Sequence, residues 1–252
     1  MTNQITSTAP QGTAPTDPGD RITTLLAYAD DNMVLAQRLG ELISNTPELE
    51  IDIALGNKAL DHLGVARALY THAGKTEGEG RTEDDLAMFR TERDYTNLLL
   101  VEQPNGDFAH TMVLQLLFDA YQMELWNDLS GSTDETLGGI AAKALKEATY
   151  HLRFSSGWVI RLGDGTEESH RRAQNGVDAL WRYTSEMFEG AAEKYRSAWT
   201  TSIEAAFVDA NLEIPSDPYQ RTGGRGGFHT EHLGFLLAEM QWMQRSYPGL
   251  QW

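Results

Sequence analysis

The sequence predicts an all-α protein built around a four-helix bundle. Long stretches place apolar residues at steps of three and four, the period of a helix face. No stretch carries a convincing strand signal. Helix punctuation by Asp, Thr, Gly and Pro falls between segments long enough to lie side by side.

Taken in order, Asp20 can cap a first helix that runs to about Ser44, where Asn45-Thr46-Pro47 stops it. A second helix runs from about Glu48 to Ala73 and ends at Gly74, with Lys75 to Arg81 as a loop. Thr82-Glu83-Asp84-Asp85 resembles a capping box opening a short helix. Leu98-Leu99-Leu100-Val101 is apolar and leads into Glu102-Gln103-Pro104-Asn105-Gly106, which must turn. Asp107 starts a third long helix to about Leu129, and after Ser130-Gly131-Ser132-Thr133 a fourth runs to about Leu162. Two further helices are expected at roughly 167–188 and 191–211. Pro215 and Pro218 introduce a loop that ends in Arg221-Thr222-Gly223-Gly224-Arg225-Gly226-Gly227, and a last helix covers about Thr230 to Ser246. This divides the chain into a disordered tail, 1–20, and a single helical domain, 21–252.

With 252 residues and 40% apolar content, the chain can bury a sizeable core as one large domain. A net charge of −17 argues against nucleic acid, because phosphate binding needs clustered Lys and Arg. The absence of cysteine excludes disulfides and cysteine–metal clusters and is compatible with a reducing cytoplasm. No apolar run approaches the roughly 20 residues that span a bilayer. The first twenty residues carry no Lys, Arg or apolar stretch, so they match neither a secretory nor a mitochondrial signal. A cytoplasmic protein is expected.

Four acids, Asp31, Asp61, Asp119 and Glu147, lie one on each long helix, in two pairs about 30 residues apart. In four-helix bundles that bind two metals, two helices give one carboxylate each and two give Glu-x-x-His. Asp119 shares a stripe with Met112, Leu116, Met123 and Trp126; Glu147 lies with Ile140, Ala144, His151, Phe154 and Trp158. Asp61 falls among Ala54, Asn57, Gly64 and Ala68, small residues that would let another helix come close. Asp31 stands beside Leu35 and Leu42, whereas Asp30 turns toward Gln37 and Glu41 and should be solvated.

Where histidine should follow at i+3, the chain has Gly64 and Tyr150. His62 directly follows Asp61, and adjacent helical residues point about 100° apart, so the two cannot easily share an ion. Glu147 and His151, at i and i+4, could. One histidine is poor provision for two metals. Lys143, one turn before Glu147, and Lys58, three residues before Asp61, can replace metal charge with a salt-bridge network. That reading is preferred to bound iron; an active di-iron oxidase is the alternative.

Other constellations are weaker. The 219–227 segment has the Gly and Arg content of an anion-binding loop but no P-loop pattern, so contact with a partner subunit is the expectation. His229 and His232 flank Glu231 and read as capping or surface groups, and Phe235, Met240, Trp242 and Met243 as core or interface.

From about residue 25 onward the chain resembles the C subunits of the bacterial ring-1,2-phenylacetyl-CoA epoxidases, also called phenylacetate-CoA oxygenases. The resemblance rests on Gln37-Arg38-Leu39-Gly40-Glu41, Pro47-Glu48-Leu49-Glu50-Ile51-Asp52 and the whole of Asn97 to Gly106. It continues through Lys146-Glu147-Ala148, Tyr150-His151-Leu152-Arg153-Phe154-Ser155, Arg221-Thr222-Gly223-Gly224 and His229-Thr230-Glu231-His232-Leu233-Gly234. It implies a ferritin-like four-helix bundle with additional C-terminal helices and no working di-iron centre, hence no catalytic or metal-binding residues in this chain. It further implies a di-iron A subunit as partner, other subunits of the same complex, and the use of O2 and of NADPH through a reductase. Asp31, Asp61, Asp119, Glu147, His151, Lys143 and Lys58 then become a vestigial metal-site network. Glu102, Gln103, Pro104, Asn105, Arg221 and Arg225 are the expected partner-facing residues.

Overall fold

The computed structural model describes residues 18–216 and 219–250. Most of the expected tail, and Pro218, lie outside the described residues. Pro18 to Asp20 already belong to the first helix, α1 (Pro18–Gly40), which runs antiparallel to α2 (Leu49–Glu77). A short α3 (Glu83–Met88) and an irregular segment lead to α4 (Phe108–Leu129), which packs against α5 (Glu135–Gly163). The bundle closes where α2 meets α5 and where Tyr28 of α1 meets the ring of Trp126 of α4 edge-on at 6.1 Å. Helices α6 (Glu167–Leu180) and α7 (Arg196–Ala210) cover α4 and α5 from outside. The described residues contain no strand.

Burial follows from these layers. Helix α4 is covered on every side and is buried around nearly its whole circumference from Ala109 to Gln122, as a helix apolar on all faces must be. Its start agrees with the expected cap: the Asp107 carboxylate accepts from the amide of His110. The Thr82 capping box forms too, with Asp85 as its third residue. Helix α2 outlasts its expected stop at Gly74 by a turn. Gly74 remains helical, and the Arg81 carbonyl packs onto it so closely that a Cβ there would collide, so glycine is needed for the approach. The helix ends at Gly78 instead, left-handed at φ 75°. The expected 167–188 helix stops at Leu180 and tightens into 3-10 turns up to Tyr195, which sink Glu186, Met187 and Phe188 into the core. The last helix breaks into α8 (Glu231–Met240) and α9 (Trp242–Ser246) at buried Gln241, whose amide donates to the Ala87 and Arg90 carbonyls.

Buried carboxylates hold the irregular 90–106 segment. Asp30 is not solvated as expected but fully buried. Arg90 grips both its oxygens, Tyr70 donates to it at 2.6 Å, and the Thr96 amide donates at 2.8 Å. Asp31 accepts from the Leu98 amide at 2.7 Å and pairs with Arg225 at 2.7 and 3.0 Å. Glu186 accepts from the amides of Leu99, Gly223 and Gly224. Glu102, also fully buried, accepts from the Thr230 amide and bonds His229 and Asn97.

This corrects several expectations for the partner-facing residues. Glu102, Gln103 and Arg225 are engaged inside the chain, whereas Pro104 and Arg221 are exposed and Asn105 is half-buried. His229 is an internal bridge, not a surface group, joining Glu102 to the Tyr95 carbonyl at 2.9 and 2.8 Å. The glycines of the 223–227 loop serve close packing within the chain. A Cβ on Gly224 would collide with the Asn97 carbonyl oxygen, and Gly227 combines φ 76° with a position where a Cβ would lie 2.5 Å from the Arg93 carbonyl oxygen. Of the stripe expected as core or interface, Met240 packs against the core, while Phe235, Trp242 and Met243 are exposed.

Replacing Asp30 with Ala leaves the Arg90 guanidinium buried without its carboxylate. The expected loss is about 3–5 kcal/mol in chemical denaturation. A loss below about 1 kcal/mol, the range of a surface ion pair, would mean that the 90–106 segment is held by other contacts.

Candidate functional site

The site is the polar centre of the bundle, built from α2, α4 and α5 with one residue from α1. On α2, Lys58 and His62 stand one turn apart on the stripe of Leu55, Ala59, Ala66 and Leu69, so packing drives both side chains inward. Lys58 is completely buried, and its Nζ lies 2.7 Å from Oδ2 of Asp119 on α4. Ser155 on α5 donates to the same oxygen at 2.7 Å. The other oxygen, Asp119 Oδ1, is buried with no hydrogen-bond partner.

Both histidines reach this centre. Asn32 on α1 donates its amide to the Tyr28 carbonyl, so its Oδ1 faces His62 Nδ1 at 2.8 Å and places the ring proton there. His62 Nε2 is left buried and unpartnered. His151 lies with its ring centroid 5.0 Å from that of His62, and its Nε2 is 3.0 Å from Asp61 Oδ2. At the rim, Lys143 Nζ is 3.4 Å from Glu147 Oε1 on the same helix.

Burial dominates the electrostatics. It pushes the Lys58 ammonium pKa down and the Asp119 carboxyl up, each against the pull of its partner. Desolvation, reinforced by the Lys58 charge, lowers His62 to about 3 and His151 further, so both rings are neutral near pH 7. At the half-buried rim, desolvation raises Asp61 and Glu147, and for Glu147 the neighbouring Asp61 charge adds to it.

The structure brings together Lys58, Asp61, Asp119, Lys143, Glu147 and His151, but not Asp31. That carboxylate turns to Arg225 and the Leu98 amide, and burial lifts it to about 6 even so. The residue that α1 contributes to the centre is Asn32. The count of one usable histidine is also corrected, because His62 shares the cluster with His151. A visible signal existed, since Lys58 and His62 sit at i and i+4 on an apolar stripe. Asn32 and Ser155 carried none.

This set does not fit two irons. Gly64 lies beside the centre with Lys143 Nζ 4.0 Å from its Cβ position, and Tyr150 is exposed and stacked on Phe154. Asp31 is committed elsewhere, and a buried ammonium stands on Asp119. The carboxylate and histidine donors of a paired-metal bundle are therefore missing from their places. The remaining polar groups pair with one another within the chain: Lys58 with Asp119, His151 with Asp61, and Lys143 with Glu147.

Two measurements test this electrostatic picture. Lys58→Met strands the Asp119 carboxylate, with an expected cost of about 3–5 kcal/mol near neutral pH. Asp119 already holds its proton more tightly than a free aspartate, and loss of the ammonium strengthens this. The deficit should therefore shrink as pH falls and the acid neutralises; an unchanged melting temperature at neutral pH contradicts the pairing. For His62, the folded pKa lies below the ordinary 6.5, so on acidification the unfolded chain takes up this proton first. Its contribution is present above 6.5 and is lost toward pH 3, at about 1.4 kcal/mol per pH unit. His62→Gln should flatten the wild-type stability slope by that amount between about pH 6 and pH 4.

The chain is 48% identical over 241 residues to the C subunit of the 1,2-phenylacetyl-CoA epoxidase of Escherichia coli (strain K12), covering 90% of this chain and 97% of that relative. A family model described as phenylacetic acid catabolic protein matches residues 5–252. The ferritin-like bundle described above, with its outer helices α6 to α9, is the fold of that family, and the chain belongs to the phenylacetic acid catabolic protein family.

Proposed function

We propose that the chain is the non-catalytic C-type subunit of a phenylacetyl-CoA ring epoxidase, acting in the cytoplasm in aerobic phenylacetate degradation. In this reading it stabilises and positions a di-iron A subunit, which carries the oxygen chemistry with O2 and with NADPH-derived electrons from a reductase. The observation that carries the reading is Lys58 on Asp119: a cation supplied by the chain stands at the centre of a bundle whose relative is named as an epoxidase subunit. A salt bridge of this kind keeps the bundle closed without redox chemistry. No helix among the described residues is long and apolar enough to cross a membrane.

A partner needs a surface, and α2 offers one. Leu49, Ile53 and Leu60 are 70%, 56% and 65% exposed, and their steps of four and seven put them on one face. Tyr150 on α5 adds a fourth exposed apolar side chain. Such residues at the core of an interface gain by leaving water.

The test is metal analysis and co-purification. Purified alone, the chain should hold no stoichiometric iron and should not oxidise phenylacetyl-CoA. Co-expressed with a di-iron A subunit, it should co-purify and raise that subunit's melting temperature. Ile53→Glu with Leu60→Glu should weaken co-purification by more than about tenfold, a modest share of interface energy, while leaving this chain's own melting temperature unchanged. Near two irons per chain in the isolated protein would overturn the reading.

A further inference from the structure

We infer that His62, His151 and Asp119 form a site for one divalent transition-metal ion, and that Lys58 holds this site closed. One ligand atom from each of the three lies within 4.8 Å of the others, and their exposures are only 3%, 3% and 1%. Asp119 and His151 belong to the polar network described above, and His62 joins them with its ring centroid 5.0 Å from that of His151. They converge because α2, α4 and α5 do.

Two features point to a ligand rather than to finished packing. His62 Nε2 and Asp119 Oδ1 are both buried and have no hydrogen-bond partner, in an interior where such atoms are costly. The remaining atoms of the three residues are already oriented. Asn32 holds His62 Nδ1, Asp61 holds His151 Nε2, and Ser155 donates to Asp119 Oδ2. Outer partners of this kind fix ring orientation and raise ligand basicity in metal sites. Two imidazoles and one carboxylate suit Zn2+ or Co2+ better than Mg2+ or Ca2+.

Lys58 is the obstacle. Its ammonium is 2.7 Å from Asp119 Oδ2, and an ion on Asp119 would face that like charge in a medium of low dielectric constant. Replacing Lys58 with a neutral side chain removes the repulsion and leaves a carboxylate that needs a cation. Asp61, 3.0 Å from His151 Nε2, places a further carboxylate beside the site.

The inference rests on the reading of the wild-type chain as metal-free, but the two fail separately: iron in the wild-type protein overturns that reading, whereas the cobalt experiment below tests the lock. The full-length wild-type chain, Lys58→Met and Lys58→Gln are titrated with Co2+ and followed by visible absorption, metal content and melting temperature. Gln is included because its amide can still donate to Asp119 if Met prevents folding. Each variant is expected to take up one Co2+ per chain, with the intense d–d band of a low-coordinate site and a raised melting temperature. The wild type should do neither. Adding His62→Ala or His151→Ala to Lys58→Met should abolish the band. The inference is overturned if folded variants bind no Co2+, if the wild type binds it equally well, or if binding survives loss of either histidine. Failure of both variants to regain native helicity even with Co2+ present overturns it as well, because the ion would then be unable to replace the ammonium.

Discussion

The polar centre of the bundle is built around the buried ion pair between Lys58 and Asp119. Removing an ammonium and a carboxylate from water costs several kcal/mol for each ion, and only close geometry with further hydrogen bonds offsets that cost. Here the separation is 2.7 Å, and Ser155 supplies an additional donor to the carboxylate. Burial keeps His62 and His151 uncharged, with the positive end of the pair adding to it, and a neutral His151 can then donate to Asp61 at the rim. The centre thus contains one cation, one anion and two neutral rings. A bundle filled this way has specific polar contacts among α1, α2, α4 and α5.

A second set of buried charges does different work. Asp30, Asp31, Glu102 and Glu186 all point into the 90–106 segment and the 223–230 loop, where regular helix hydrogen bonding is absent. Backbone amides there need acceptors, and carboxylates provide them with charge-assisted bonds. Arg90 and Arg225 return the countercharge; Arg90 also stacks over the Tyr95 ring at 4.4 Å. Part of the acidity behind the −17 net charge is therefore internal scaffolding and not surface for a basic partner.

These two networks meet on α1. Asp30 and Asp31 face the irregular segment, and the next residue, Asn32, faces the bundle centre. Three consecutive polar side chains on one helix turn join the packing of the loop layer to the packing of the core. The loop layer in turn places α8, because Glu102 accepts from the amide of its cap residue, Thr230, and Arg38 of α1 donates to the Glu102 and His232 carbonyls. The outer apolar side chains left over, on α2 and on the C-terminal helices, are those the chain does not use for itself.

Helix content, the order of the long helices and their caps at Asp107 and Thr82 were legible in the sequence, because helical periodicity and capping are local properties. So was the presence of polar groups on apolar stripes at Lys58, Asp119 and His151. What local pattern could not decide was which buried charge meets which. Asp30 and Asp31 are adjacent and alike in sequence, and their side-chain partners come from residues 40 to nearly 200 positions away. The same holds for Glu102, whose place in a turn suggested exposure, and for His62, whose distance from Asp61 on the helical wheel hid its approach to His151. The sequence by itself determined an all-α bundle with acids and lysines inside it. Only the tertiary structure decided that Lys58 neutralises Asp119, that Arg225 removes Asp31 from the cluster, and that two histidines share the centre. Pairing of buried charges depends on how the helices are turned toward one another, and no single helix contains that information.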